Sequence, residues 1–144
     1  MFDKDLYATR RSGDDDIIKN SATNFYKGDI SKEEVERFYD AQRVPNDATP
    51  ISYGLNSQLV KENGKIYENV YKSGGLYGEA IDQIIYWLEK ANAVAENEAQ
   101  RNYTNLLIDY YKTGDLKTWD EYNVAWVQDS VSTIDFVNGF IEGY

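Results

Sequence analysis

Apolar side chains recur at the spacing of an α-helix across residues 31–44. The run opens on Ser31, and Glu34 follows three positions later. A Ser–Glu pair at this spacing forms a capping box, which satisfies two backbone N–H groups at a helix start. The helix is expected to end before Pro45, because the residue preceding a proline avoids the helical conformation. The apolar stripe of this helix consists of Val35, Phe38 and Tyr39. Ile30 and Val35 lie on either side of the capping box, at the positions of a hydrophobic staple.

The pattern of residues 55–71 predicts a β-hairpin centred on Asn63-Gly64. This dipeptide is the preferred pair for a two-residue type I′ turn. The register that follows pairs Val60 with Tyr67 and Leu59 with Glu68. One face then carries Leu55, Leu59, Ile66 and Val70, and the other carries Val60, Tyr67 and Tyr71. Because both faces hold apolar groups, we expect the hairpin to be covered on both sides.

Three later stretches repeat apolar residues at helical spacing. They predict helices over about 79–95, from the polar join at 96–98 to Thr113, and from Asp115 to about Val127. The first two could also form one long helix. Thr113-Gly114 is a typical helix C-terminal signal.

Residues 132–143 alternate between apolar and polar positions, which favours a half-buried strand. Ile134, Phe136 and Phe140 share one parity, and Asp135 has the other. The predicted fold class is therefore α+β, with helices packed on a small antiparallel sheet. Its strands would be the hairpin at 55–71 and the C-terminal strand at 132–143. Further strands are expected near 22–25 and 51–53, or are absent from the 144-residue chain, which has the length of one domain.

Composition restricts the chemistry that this chain can perform. There are 15 Lys and Arg residues against 25 Asp and Glu, for a net charge of −10. Clustered cations are needed to bind nucleic acid or an anionic membrane, so neither is an expected partner. No His and no Cys occur, which removes imidazole bases, thiol nucleophiles and the usual zinc ligands. We therefore predict no metal site within this chain.

No targeting or membrane-spanning segment is visible in the sequence. The first residues lack an apolar core of the kind that signal peptides have, and no apolar run approaches about 18 residues. We expect a soluble chain, with a cytoplasmic location favoured over others.

Two general functions remain open from the residues alone. The chain has 3 Trp, 13 Tyr and 5 Phe. Exposed aromatic rings can form a platform on which sugars stack. Most of these rings fall on the apolar stripes, however, and are expected in the core. Paired carboxylates could also serve a hydrolase. A free-standing, non-catalytic peptide- or glycan-binding domain and a carboxylate-based hydrolase are therefore both alternatives.

Three sequence stretches together resemble a known family. They are "GFIEGY" at residues 139–144, "WVQD" at 126–129, and the run "ISYGLNSQLVKENGKIYENVYKSGGLYGEAIDQIIYWLEK" with its continuation to Leu116. They are similar to the dipeptidyl peptidase III family, most closely its Bacteroides-type members. The resemblance extends from near the N-terminus to the last residue.

The resemblance implies a role for residues of the final motif. Family members are two-lobed zinc exopeptidases that release N-terminal dipeptides from short peptides. Glu142 matches the residue that binds the free α-amino group of the substrate, and Tyr144 matches the phenol that donates to the oxyanion. Gly139 and Phe140 would belong to the same substrate-binding stretch. Gly143 departs from the family pattern, which has a larger residue there.

The family's zinc motif contains two His residues, so the present chain cannot supply it. The resemblance thus implies that residues 1–144 are a single domain or a partial, N-terminal lobe of a larger two-lobed peptidase with a small β-barrel core. Zinc would be present in the full-length parent and absent from this chain, which we expect to be inactive alone. Peptide substrate would bind with the rest of the parent. We also expect the isolated chain to self-associate near Phe136 and Phe140.

Overall fold

The computed structural model of the chain describes residue 18 and residues 25–138. The elements in chain order are β1 (Tyr26–Lys27), α1 (Lys32–Asp40), β2 (Ser57–Glu62), β3 (Lys65–Val70), α2 (Gly78–Ala93), α3 (Glu98–Thr113) and α4 (Leu116–Gln128). Four helices therefore accompany a small sheet. The predicted α+β class is confirmed.

The hairpin forms with the predicted register. Strands β2 and β3 are antiparallel, with Leu59 opposite Glu68 and Val60 opposite Tyr67. Asn63 and Gly64 both have positive φ angles, 51° and 76°, as a type I′ turn requires. Leu59 and Val60 point to opposite faces, and both are buried, so β2 is covered on both sides at this point. Tyr67, nearer the turn, is 44% exposed.

The sheet is mixed rather than wholly antiparallel, which corrects the prediction. Strand β1 runs parallel to β2, with Tyr26 beside Leu59. The connection between these strands passes through α1, and a connection through a helix allows parallel pairing where a tight turn does not. The stretch 51–53 forms no strand, whereas β1 begins directly after the predicted position at 22–25.

Helix α1 begins with the predicted capping box and packs on the sheet. Ser31 Oγ accepts from Glu34 N, and Glu34 Oε2 accepts from Ser31 N. The apolar pair Ile30 and Val35 is buried against Leu59 of β2. The helix ends at Asp40, before Pro45, as expected.

The other three helices pack mainly on one another. Helices α2 and α3 are separate, because Asn97 caps α3 by accepting a hydrogen bond from Gln100 N at 2.9 Å. Gly114 ends α3 with a φ of 73°, and Asp115 caps α4. The core between α3 and α4 is aromatic. It consists of Tyr103, Leu107, Tyr110 and Tyr122.

The predicted strand at 132–143 does not form over its described part, residues 132–138. Residues 139–143 lie outside the described residues. Among described residues, no β-strand lies beside this stretch, and several of its backbone groups bond to side chains of other elements instead. Phe136 is half-buried against Tyr103, so it does not lie on a free strand edge.

Within the described part of the chain, no helix combines the length and apolar character needed to cross a bilayer.

Candidate functional site

The four residues assigned to substrate or catalysis, Gly139, Phe140, Glu142 and Tyr144, lie outside the described residues. The structure describes the chain up to Asn138, the residue immediately before them. The described side of the candidate site is therefore the stretch 130–138, which we call the C-terminal segment.

The C-terminal segment begins with a turn around Asp129, the C-terminal cap of α4. Asp129 Oδ1 accepts from Val131 N at 3.2 Å and from Ser132 N at 3.3 Å. The Ser132 hydroxyl donates to Asp129 Oδ2 and accepts from Asn97 Nδ2 at 2.8 Å. The hydrogen bond from the Ser132 side chain is the main cause that lowers the pKa of Asp129, followed by the two backbone donors. This turn therefore fastens the start of the segment to the start of α3.

Glu96 then binds two consecutive backbone N–H groups of the segment with its carboxylate. Its Oε2 accepts from Thr133 N at 3.0 Å, and its Oε1 accepts from Ile134 N at 2.8 Å. These backbone donors lower the pKa of the Glu96 carboxyl, because they stabilise its charged form. Gln100 Nε2 completes the contact by donating to Ile134 O at 2.9 Å.

The middle of the segment is held by aromatic side chains. The ring of Phe136 packs against that of Tyr103, with centroids 5.8 Å apart. Tyr103 is fully buried, so the contact joins the segment to the helical core. The indole of Trp126 donates to Asp135 Oδ1 at 2.8 Å.

The end of the segment is tied to the last turns of α3. The phenol of Tyr111 donates to Asn138 Oδ1 at 2.8 Å. Burial raises the pKa of Tyr111 above its ordinary value of 10.0, so the phenol remains a donor at neutral pH and into the alkaline range. The helix between Asn97 and Tyr111 is about 21 Å long, and an extended chain from Ser132 to Asn138 spans about 20 Å. The contacts with Asn97, Gln100, Tyr103 and Tyr111 thus place the segment along α3, in the same direction.

Asn138 lines a cavity of about 470 Å³ between α2, α3 and the start of α4, which we call the aromatic cavity. Five rings line it together with Asn138. They are Tyr71, Tyr77, Tyr110, Tyr111 and Trp119. Burial raises the pKa of Tyr110 to about 12, so this phenol is also neutral at pH 7. The rings of Tyr71 and Tyr77 stack with centroids 5.7 Å apart.

A larger cavity, of about 600 Å³, lies between the loop after α1 and the outer surfaces of α3 and α4. Charged side chains of both signs line it, including Asp47, Lys117 and Asp120. Its lining residues come from 47–51, α3 and α4 and include none of the C-terminal segment. It is therefore a poorer candidate for the site that the final motif would serve.

The comparisons with known proteins agree with the resemblance of the final motif. The profile of Peptidase family M49 matches residues 4–144. The chain belongs to peptidase family M49. No curated protein matches its sequence.

Two solved structures of dipeptidyl peptidase III share the fold. The structure from Caldithrix abyssi is 23% identical, with a TM-score of 0.57, over 92% of this chain and 23% of that one. The structure from Corallococcus sp. strain EGB is 19% identical, with a TM-score of 0.54, over 78% of this chain and 20% of that one. The present chain thus spans less than a quarter of either protein's length.

Family M49 is a family of zinc metallopeptidases, and zinc in proteins is usually held by His, Cys and carboxylate side chains. The sequence contains neither His nor Cys. Among residues 18 and 25–138, no group of three acidic side chains is arranged to hold a metal ion.

Sequence reasoning missed the residues that fasten the segment, namely Glu96, Gln100 and Tyr111. Glu96 belongs to the polar join before α3, which gives no local sign of a partner 38 residues away. Tyr111 fits the apolar pattern of α3 and was therefore indistinguishable from a core residue. The available signal was the alternation of apolar and polar residues in the C-terminal segment. It indicates that the segment packs on other residues, but it does not identify them.

Proposed function

We propose that this chain forms the substrate-binding side of a zinc-dependent dipeptidyl peptidase that releases N-terminal dipeptides from short peptides. Membership of family M49 supports the peptidase class. The proposal rests on one structural observation. The C-terminal segment is attached along α3 up to Asn138. The next residue is Gly139, so this attachment would hold one end of the substrate motif against a rigid helix.

Glu142 would bind the free α-amino group of the peptide. A carboxylate suits this task because it forms a charge-assisted hydrogen bond with an ammonium group. By fixing the amino terminus, it would set how many residues of the peptide enter the site, and hence the release of dipeptides. The net charge of −10 would also attract a cationic amino terminus.

Tyr144 would donate a hydrogen bond to the oxyanion that forms when the peptide carbonyl is attacked. A phenol can do this at neutral pH because it stays protonated. Residues two apart on an extended chain point to the same side, which would bring Glu142 and Tyr144 to one substrate. Zinc, held by another part of the polypeptide, would polarise the carbonyl and activate water.

The first test reads the coding sequence beyond the codon for Tyr144. We expect an open frame that encodes a zinc-binding motif with two His residues. The protein translated from it should release dipeptides from free peptides but not from N-acetylated ones, and a chelator should abolish this activity. A frame that closes at Tyr144 would contradict the proposal.

Two substitutions in that longer protein test the assigned roles. Tyr144→Phe should lower kcat by about 100-fold or more with a smaller change in KM, because the lost donor acts on the oxyanion. Glu142→Gln should mainly raise KM for peptides with a free amino terminus. Tyr53→Phe is the control, since this phenol donates only to Gln42 O in an exposed loop, at 2.9 Å. Equal effects of Tyr144→Phe on kcat and KM would refute the oxyanion role.

The aromatic cavity favours a second candidate, a free-standing peptide- or glycan-binding domain without catalysis. That function predicts a cooperative thermal transition of the 144-residue chain and saturable ligand binding in the absence of zinc. It also predicts that no peptidase activity accompanies any longer form of the protein.

A further inference from the structure

We propose that the outer face of α2 packs against a helix from the part of the longer polypeptide that lies outside residues 1–144. This inference rests on the proposed function only in placing the chain within a longer protein, and it assigns an interaction surface that the proposed chemistry does not use. Four exposed residues of α2 form this face, which we call the outer stripe: Ala80, Ile84, Trp87 and Ala91.

Helix α2 carries two apolar stripes, and the described residues cover one of them. The inner stripe packs with Ile108 of α3 and consists of Ile81, Ile85 and Leu88. The outer stripe has successive spacings of four, three and four residues, the pattern of a seam between two packed helices. Its two large side chains, Ile84 and Trp87, are nevertheless 40% and 66% exposed. A helix with apolar residues on more than one face is typical of a buried element, so a second neighbour is expected.

The surface along the outer stripe is long enough to receive another helix. Ala80 and Ile84 line the aromatic cavity. Ile84, Trp87 and Ala91 line a groove of about 460 Å³, whose other wall is Phe136 of the C-terminal segment. The cavity and the groove therefore adjoin at Ile84. The helix rises about 16 Å from Ala80 to Ala91, or about three turns, which matches an extended element rather than one side chain.

The chemistry of the groove favours an apolar partner. None of its described lining residues carries a formal charge, and they are Gln83, Ile84, Trp87, Leu88, Ala91 and Phe136. A charged side chain would lose its hydration there without gaining an ionic partner. Leucine or aromatic side chains would instead bury apolar area against the ring of Trp87. We therefore expect an amphipathic helix whose apolar residues recur every three to four positions.

The length of related proteins favours a partner from the same polypeptide. The present chain spans 23% and 20% of the two dipeptidyl peptidase III chains that share its fold. Contiguous exposed apolar surface is uncommon on soluble monomeric proteins and marks interaction sites. A helix linked to this chain would be held near the outer stripe at a high effective concentration, so it would compete well against a second copy.

Cysteine labelling of the longer protein tests the inference with two matched variants. Ala91→Cys places a thiol on the outer stripe, and Ala93→Cys places one at the last residue of α2, which lines neither the groove nor the aromatic cavity. Both alanines are exposed in the present structure. Trypsin cleaves after Lys90 and Arg101, so both thiols fall in peptide 91–101, and mass spectrometry reads them irrespective of other cysteines.

Iodoacetamide should modify Ala91→Cys at least about tenfold more slowly than Ala93→Cys in the folded protein, because the packed helix must open before the reagent enters. The two variants should react at the same rate in urea. Equal rates in the folded protein would overturn the inference. Protection of Ala91→Cys that is lost on dilution would assign the outer stripe to a second copy and would overturn it as well.

The wild-type longer protein provides a second measurement if Ala91→Cys does not fold. Hydroxyl radicals should oxidise Trp87 no faster than Trp119, although Trp87 is 66% exposed here and Trp119 is partly buried in the core. Faster oxidation of Trp87 would show that the outer stripe is open to solvent and would refute the packing.

Release of dipeptides by the same preparations separates this inference from the proposed function. If peptides are cleaved while the two thiols react equally, the packing of α2 fails and the peptidase function stands. If Ala91→Cys is protected while no dipeptide is released, the peptidase function fails and the packing stands. A reading frame that closes at Tyr144 would overturn both.

Discussion

The phenol of Tyr111 and the side-chain oxygen of Asn138 are 2.8 Å apart, although 27 residues separate them in the chain. This hydrogen bond joins the last turns of α3 to the final described residue of the C-terminal segment. Glu96 makes the corresponding contact at the other end of the helix. The C-terminal segment, which leads to residue 139, is thus attached near both ends of α3.

Tyr111→Phe should release the end of the segment while preserving the ring packing. We expect a loss of about 0.5–1.5 kcal/mol in the free energy of unfolding, the usual contribution of one hydrogen bond. Amide hydrogen exchange at residues 135–138 should accelerate more than exchange in the hairpin. The control is Tyr53→Phe, and identical exchange in the two variants would show that the phenol does not fasten the segment.

The attachment made by Glu96 should depend on pH. In the folded state the pKa of Glu96 is lowered below its ordinary value of 4.5. The contribution of Glu96 to the free energy of unfolding is therefore complete above pH 4.5 and declines as pH falls below it. Urea unfolding of the wild type and of Glu96→Gln should therefore differ at pH 7, and the difference should shrink as pH falls below 4.5. Asp82→Asn, which removes one exposed negative charge from α2, is the control for the change in net charge at pH 7. A difference that grows on acidification would contradict the assignment.

Gly114→Ala should destabilise the chain more than Gly64→Ala does. Both residues have positive φ angles, 73° and 76°, so both variants pay a backbone strain of about 1–2 kcal/mol. A Cβ on Gly114 would lie 2.6 Å from Val70 Cγ1, whereas one on Gly64 meets nothing within 4 Å. The difference between the urea unfolding midpoints of the two variants therefore measures how tightly the end of α3 packs on β3. Equal losses would show that the contact relaxes freely.

The isolated chain should self-associate through exposed apolar side chains beside the C-terminal segment. Trp87 and Val137 are 66% and 92% exposed, and Phe136 borders the groove in which Trp87 lies. Sedimentation should show oligomers that increase with concentration, and Trp87→Gln should reduce them. Val44→Gln is the matched control, since Val44 is 65% exposed and lies in the loop after α1. A strictly monomeric wild type at high concentration would exclude this association.

The sequence by itself determined the local structure. The capping box at Ser31, the turn at Asn63-Gly64 and the helix end at Gly114 were all predicted at their observed positions. Each depends on residues within a few positions of one another, so the information lies in a short window of sequence. The absence of His and Cys likewise fixed the chemistry that the chain cannot supply on its own.

Only the tertiary structure decided the parallel pairing of β1, the course of the C-terminal segment and the aromatic cavity. Alternation over 132–143 predicts a strand, yet backbone groups of its described part bond to side chains, among them those of Glu96 and Gln100. A hydrophobic pattern reports which side of a segment is buried, but it does not identify what covers that side. That choice depends on contacts between residues distant in sequence, which form only when the helices and the sheet have packed.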